Sequence, residues 1–199
     1  MRVLRAFVLV LAFATAPVLS SVAAPAQPPD EFIRALSSTA ITSLGVSGLS
    51  QQEREKRFRD LFTENFDVPT IARFVLGFYW PRATEPQRKE YMRLFEDFIV
   101  KAYAKRFADY SGEAFTTGNV TKVSGTDAVV SSQIKSGENG PPARVDWRVR
   151  TEDSHYKIVD VMVEGISMSV THRDEFAAVI RNNGGTVAGL IDALKKKTQ

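Results

Sequence analysis

The chain has 199 residues, no cysteine, and 26 Lys+Arg against 23 Asp+Glu, for a formal net charge of +3. The absence of cysteine excludes a disulfide scaffold and a lipoprotein anchored through that residue. The small charge excess gives no support to nucleic-acid binding, which needs a clustered basic face.

Arg2 and Arg5 precede an apolar run from Ala6 to Leu19, and small residues follow at Ser21, Ala23, Ala24 and Ala26. This is the pattern of a secretory signal peptide, too short to span a bilayer comfortably. Residues 1–26 are therefore expected to be a leader cleaved after Ala23 or Ala26, and 27–199 a single exported domain of roughly 170 residues. Its removal takes Arg2 and Arg5 from the 26 basic residues, leaving 24 against 23 acidic ones. The mature chain is close to neutral.

From Asp30 to Leu44 the apolar positions Phe32, Ile33, Leu36, Ala40, Ile41 and Leu44 recur at three and four, predicting a helix that Asp30 caps and Gly45 ends. A second helix is expected from Gln51 to Asn65, with Phe58, Leu61 and Phe62 inward and Glu53 to Arg57 as a solvated face. Asp67 ahead of Val68 and Pro69 reads as the cap of a short helix whose Ile71, Phe74 and Val75 point inward and which Gly77 closes.

Phe78, Tyr79 and Trp80 then stand consecutively between Gly77 and Pro81. So much aromatic area on a turn must fill a core, line a pocket or meet a partner. Thr84 with Gln87 forms a capping box for the longest helix, along which Tyr91, Leu94, Phe95, Phe98, Ile99, Ala102 and Tyr103 make a wide apolar face.

Beyond Gly112 the pattern alternates. Four strands are predicted near Ala114 to Val123, Ala128 to Lys135, Arg144 to Arg150 and Tyr156 to Val163. Their short connections imply an antiparallel meander. Val145, Trp147 and Val149 form a dry face in the third strand, while apolar residues on both faces of the fourth suggest a central position. Two helices follow, one with Phe176, Val179 and Ile180, the other with Val187, Leu190, Ile191 and Leu194. The fold class is α+β: N-terminal helices on a four-stranded antiparallel curved sheet, with two C-terminal helices.

No enzyme chemistry stands out. His155 and His172 are the only histidines, and neither has a second one at metal-ligand spacing. Gly165-Ile166-Ser167-Met168-Ser169 lacks the closing glycine of a nucleophile elbow. No glycine-rich phosphate loop is present. The reading is of a non-catalytic protein without cofactor or metal, in which Asp160 is a satisfied structural carboxylate.

Two blocks, Val75 to Gln87 and Tyr156 to Phe176, resemble the MlaC-like family of periplasmic lipid-binding proteins, also called the toluene-tolerance auxiliary family. The second block runs from Asp160-Val161 through Val163-Glu164-Gly165-Ile166-Ser167 to Arg173 and Phe176. Ser169-Val170-Thr171-His172-Arg173 is more similar to the hopanoid-associated HpnM branch, since the best-known branch has an Asn-Tyr pair at Thr171-His172. The resemblance implies an apolar cavity, a phospholipid or hopanoid-type ligand, a periplasmic location, and shuttling between inner- and outer-membrane transport components. On this basis Leu76, Tyr79, Trp80, Phe95, Phe98, Val145, Trp147, Val149, Val161, Val163, Ile166 and Met168 are the expected lipid-binding residues, with Tyr79 or Trp80 rather than Phe78 facing the ligand. The alternative is an exported adaptor of a membrane transport complex without its own lipid cavity.

Overall fold

The computed structural model describes residues 27–109, 112–135, 141–152 and 154–199; the expected leader lies outside them. Among the described residues the helices are α1 (Pro29–Leu44), α2 (Gln51–Asn65), α3 (Val68–Leu76), α4 (Glu85–Ala104), α5 (Met168–Asn182) and α6 (Val187–Thr198). Between α4 and α5 run β1 (Ala114–Ser124), β2 (Asp127–Lys135), β3 (Pro142–Glu152), β4 (His155–Val163) and β5 (Ile166–Ser167). The fold is α+β, with one antiparallel sheet in the order β1-β2-β3-β4-β5.

Helix starts follow local side-chain chemistry. Ser50, Asp67, Ser167 and Thr186 each accept a hydrogen bond from a backbone N–H in the first turn of α2, α3, α5 and α6. Thr84 and Gln87 form the reciprocal capping box of α4. The exception is α1, which begins at Pro29 without a side-chain cap. Proline supplies the helical φ there, and Asp30 lies in the first turn beside Arg34 at 3.3 Å instead of capping.

In α3 the buried face is Val68, Ile71, Ala72, Val75 and Leu76, whereas Phe74 is 42% exposed, contrary to expectation. Its ring carries the Arg173 guanidinium, 5.1 Å from the centroid. Gly77 ends the helix at φ 53°, ψ −123°, a region that favours glycine. The aromatic corner continues as a 3₁₀ helix, Gly77–Arg82, closed by bonds from the Ala83 N–H to the carbonyls of Tyr79 and Trp80.

The sheet departs from the expected four strands in two ways. Glu164 and Gly165, at φ 50° and 78°, turn the chain so that Ile166 and Ser167 pair back onto Val163 and Met162 as a fifth strand. The fourth strand is not central: β3 flanks it along its length, while β5 meets only its last two residues. The register shifts by one residue at Val159, because Asp160 faces Arg148 and Ile158 faces Val149. Such a bulge reverses the alternation. Ile158, Val161 and Val163 consequently share the face that carries Val145, Trp147 and Val149.

Near that bulge the helices join the sheet. Phe66 forms an isolated parallel bridge with Ile158, and the Asp67 N–H donates to the Ile158 carbonyl at 2.9 Å. Two apolar clusters result. The larger unites α2 through α6 around Tyr91, Phe95 and Phe176; the smaller sets Ile33 of α1 against Val130, Val149 and Ile158. On the outer side of the helical layer, Arg59 of α2 pairs with Glu96 and Asp97 of α4.

Candidate functional site

Between the two clusters lies a cavity of about 670 Å³. Its helical wall is Ser37, Ala40 and Ile41 of α1, Phe58 and Phe62 of α2, Phe66, Ile71 of α3, and Phe95, Ile99 and Tyr103 of α4. Phe115, Ile134, Val145, Trp147, Asp160, Val161 and Val163 form the sheet wall; Met168, Ser169 and His172 of α5 close one side, and Arg106, Phe107 and Glu113 another.

Two of the three side chains that α1 presents to the cavity, Ser37 and Ala40, are small, and the third is Ile41. Opposite them, phenylalanines spaced by four residues build a continuous apolar surface. Phe58 and Phe62 have ring centroids 6.1 Å apart, Phe62 and Phe66 5.0 Å, and Phe58 and Phe107 6.0 Å. Trp147 can turn its ring to the cavity because its indole N–H donates to Ser132 Oγ at 2.9 Å. That hydroxyl in turn donates to the Val145 carbonyl at 2.7 Å.

Three polar side chains on the wall, Asp160, Tyr103 and His172, have close partners. Asp160 Oδ1 accepts from the N–H groups of Val161 and Ser169, at 2.9 and 3.1 Å, and Oδ2 accepts from Ser167 Oγ at 2.6 Å. It is a structural carboxylate fastening the start of α5 to β4. The Tyr103 hydroxyl lies 3.0 Å from His172 Nε2, and His172 Nδ1 lies 2.9 Å from Glu175 Oε2. Burial pushes the Tyr103 phenol above its ordinary range; Arg106, 5.1 Å from its ring centroid, opposes this and Glu175 reinforces it. Among the described residues no group of His, Asp or Glu side chains could hold a metal ion.

Of the residues expected from sequence, Phe95, Val145, Trp147, Val161, Val163 and Met168 meet at this cavity. Leu76 is buried within the helical cluster, and Tyr79 and Trp80 pack against that cluster from the corner. Phe98 turns toward α5, its ring 5.4 Å from Phe176 and 5.6 Å from His172. Val149 is covered by Ile33 in the smaller cluster, and Ile166, on β5, is 61% exposed. The cavity also draws on residues the sequence reading did not assign to it, above all the Phe58, Phe62 and Phe66 stripe and the small face of α1. The four-residue spacing of those phenylalanines was the available signal.

The sequence pattern of the family described as MlaC protein matches residues 35–196. The chain belongs to the MlaC family. This MlaC-family chain is 23% identical, over 195 residues, to toluene tolerance protein Ttg2D of Pseudomonas putida, covering 96% of its own length and 88% of that relative. It shares its fold with a phospholipid-binding protein of Ralstonia solanacearum, solved in complex with a phospholipid. The TM-score is 0.76 at 21% identity, over 86% of this chain and 97% of the other.

In the MlaC-family chain the site is an apolar enclosure with a few hydrogen-bonded polar groups on its wall. Its volume falls within the about 300–1,000 Å³ usual for small-molecule pockets. Such an enclosure can take apolar chains out of water.

Proposed function

We propose that this protein is an exported periplasmic carrier that holds the apolar part of a phospholipid or hopanoid-type lipid in the cavity and shuttles it between inner- and outer-membrane transport components. The observation that carries the reading is the apolar cavity between α1, α2, α4, α5 and the sheet. Membership of the MlaC family and the fold shared with a phospholipid-binding protein support it.

The energetics favour an enclosed route. A lipid with two acyl chains has on the order of 30 methylenes, each worth about 0.8 kcal/mol against water. A cavity walled by phenylalanine, valine and isoleucine resembles the bilayer interior in polarity, so entry from a membrane and return to it can be nearly balanced. Direction then comes from the partners. No step requires a bond to be made or broken, and Asp160, already accepting three hydrogen bonds, has a structural task.

Native mass spectrometry of the protein purified from the periplasm tests this. A bound lipid of defined mass, released on denaturation, is expected. Protein that carries none, even after incubation with phospholipids and hopanoids, would overturn the reading.

A further inference from the structure

A second groove, of about 420 Å³, lies where α3, the aromatic corner and α5 meet. Its lining includes Thr70, Arg73 and Phe74 of α3, Gly77 and Trp80 of the corner, and Arg173 of α5, and it shares no residue with the lining of the larger cavity. The charged groups in it are both guanidinium groups.

Each arginine of this surface lies over an aromatic ring. The guanidinium carbons of Arg73 and Arg88 are 5.9 and 5.2 Å from the Trp80 centroid, that of Arg173 is 5.1 Å from Phe74, and that of Arg82 is 3.3 Å from Phe78. Stacking orders a long side chain in advance and leaves the N–H edge of its fork free to donate. Among the described residues Arg73, Arg82 and Arg173 have no carboxylate within ion-pair distance. Glu85 pairs with Arg88, and Asp174 makes no ion pair with its neighbour Arg173.

The apolar part of the surface is equally unused by the fold. Phe74 is 42% exposed and Phe78 63%, although α3 buries its other large apolar side chains. Arginine beside aromatic rings is the combination enriched at the centres of protein–protein interfaces.

We propose that this corner is a docking surface for an acidic segment of a partner protein, whose carboxylates pair with Arg73 and Arg173 while its apolar side chains cover Phe74 and Phe78. The inference goes beyond the carrier reading and holds whatever the cavity carries.

Concavity favours a polypeptide over the other anionic partner, a membrane surface. A plane of lipid head groups meets cations that protrude, whereas Arg73 and Arg173 line a recess. Gly77 keeps that recess open, since a Cβ there would stand 2.9 Å from Arg173 Nε. A side chain projecting from a polypeptide can enter such a space, and the planar fork of an arginine matches a carboxylate through two parallel hydrogen bonds.

The experiment puts p-benzoylphenylalanine in place of Phe78, and in a second chain in place of Phe74, and irradiates the native cells that make the full-length protein. A cross-link is expected to one defined segment of another protein, located by mass spectrometry and rich in Asp and Glu. In Arg73→Ala/Arg173→Ala the cross-link should disappear, while the fold, read by circular dichroism, and the co-purified lipid stay as in the wild type. The cross-linked segment, made as a synthetic peptide, should bind purified wild type roughly tenfold or more tighter than the double variant at low salt, with the difference shrinking at high salt. Arg73→Glu/Arg173→Glu should bind that peptide again once its Asp and Glu are replaced by Lys. Cross-links confined to lipid, which would mark a membrane surface, or to a second copy of this chain would overturn the proposal. So would no cross-link from either position, or a peptide that binds the double variant as tightly as the wild type. The carrier reading is decided separately, by the lipid content of the cavity.

Discussion

The hydroxyl of Tyr91, fully buried on α4, donates a 2.9 Å hydrogen bond to the backbone carbonyl of Ala72 on α3. It ties the longest helix to the helix that leads into the aromatic corner, in the middle of the larger apolar cluster. Tyr91→Phe keeps the ring and should lower stability by about 1 kcal/mol, read as a shift in the urea midpoint with unchanged slope.

Burial holds the Tyr91 phenol well above its ordinary value of about 10. The folded state therefore keeps its proton where the unfolded state has lost it, so this contribution is complete below about pH 10 and is lost as pH rises toward the folded value. Wild type should lose stability steadily above pH 10. Tyr91→Phe should lose less because that phenol is gone, and the loss that persists comes from Tyr103 and Tyr156, also raised by burial.

Asp127, 7% exposed at the start of β2, is held between Arg150 and Arg148. Hydrogen bonding from Arg150 is the largest cause that draws its carboxyl below the usual range, and burial partly opposes it. Its contribution is present above about pH 4 and is lost as pH falls through the lowered folded value. Asp127→Asn should cost roughly 1–2 kcal/mol at neutral pH and flatten the acid limb of a stability–pH curve. Equal acid limbs in the two proteins would refute this role.

Under the proposed carrier function, Val161 and Trp80 should separate cleanly. Val161→Asp places a carboxylate on the cavity wall and should reduce co-purified lipid roughly tenfold or more. Trp80→Ala, on the corner outside the cavity, should lose stability and keep its lipid. Quantified lipid per protein by mass spectrometry reads both.

At Gly77, a Cβ would stand 2.9 Å from Arg173 Nε on a backbone already at φ +53°. Gly77→Ala should cost roughly 1–3 kcal/mol in thermal or urea unfolding. Adding Arg173→Ala should recover the part due to crowding and leave the backbone part.

Features set by neighbours in sequence were legible from it. Asp67, Thr84 and Gln87 could be read as caps because the bonds they make reach only three residues. The four long strands and the two C-terminal helices were legible from their periodicity, whereas the two-residue β5 is too short to show one. The bulge at Val159 was not, because one unpaired residue inside an apolar run leaves no local mark, yet it decides which valines reach the cavity. The direction of Tyr79 and Trp80 depends on a 3₁₀ helix packed against α3 and α4, a tertiary matter. Six of the twelve expected residues line the cavity because alternation on β3 and periodicity on α4 do locate a dry face. Neither reveals where that dry face stops facing space and starts facing Ile33.

Ser37 and Ala40 are small side chains that α1 contributes to the cavity wall. Since neither residue belongs to the larger apolar cluster, their size can change without disturbing the frame that the other helices build. Bulkier residues at these two positions would narrow the hold, and smaller ones would widen it. The width of the cavity is thus adjustable in this fold with little effect on the larger apolar cluster.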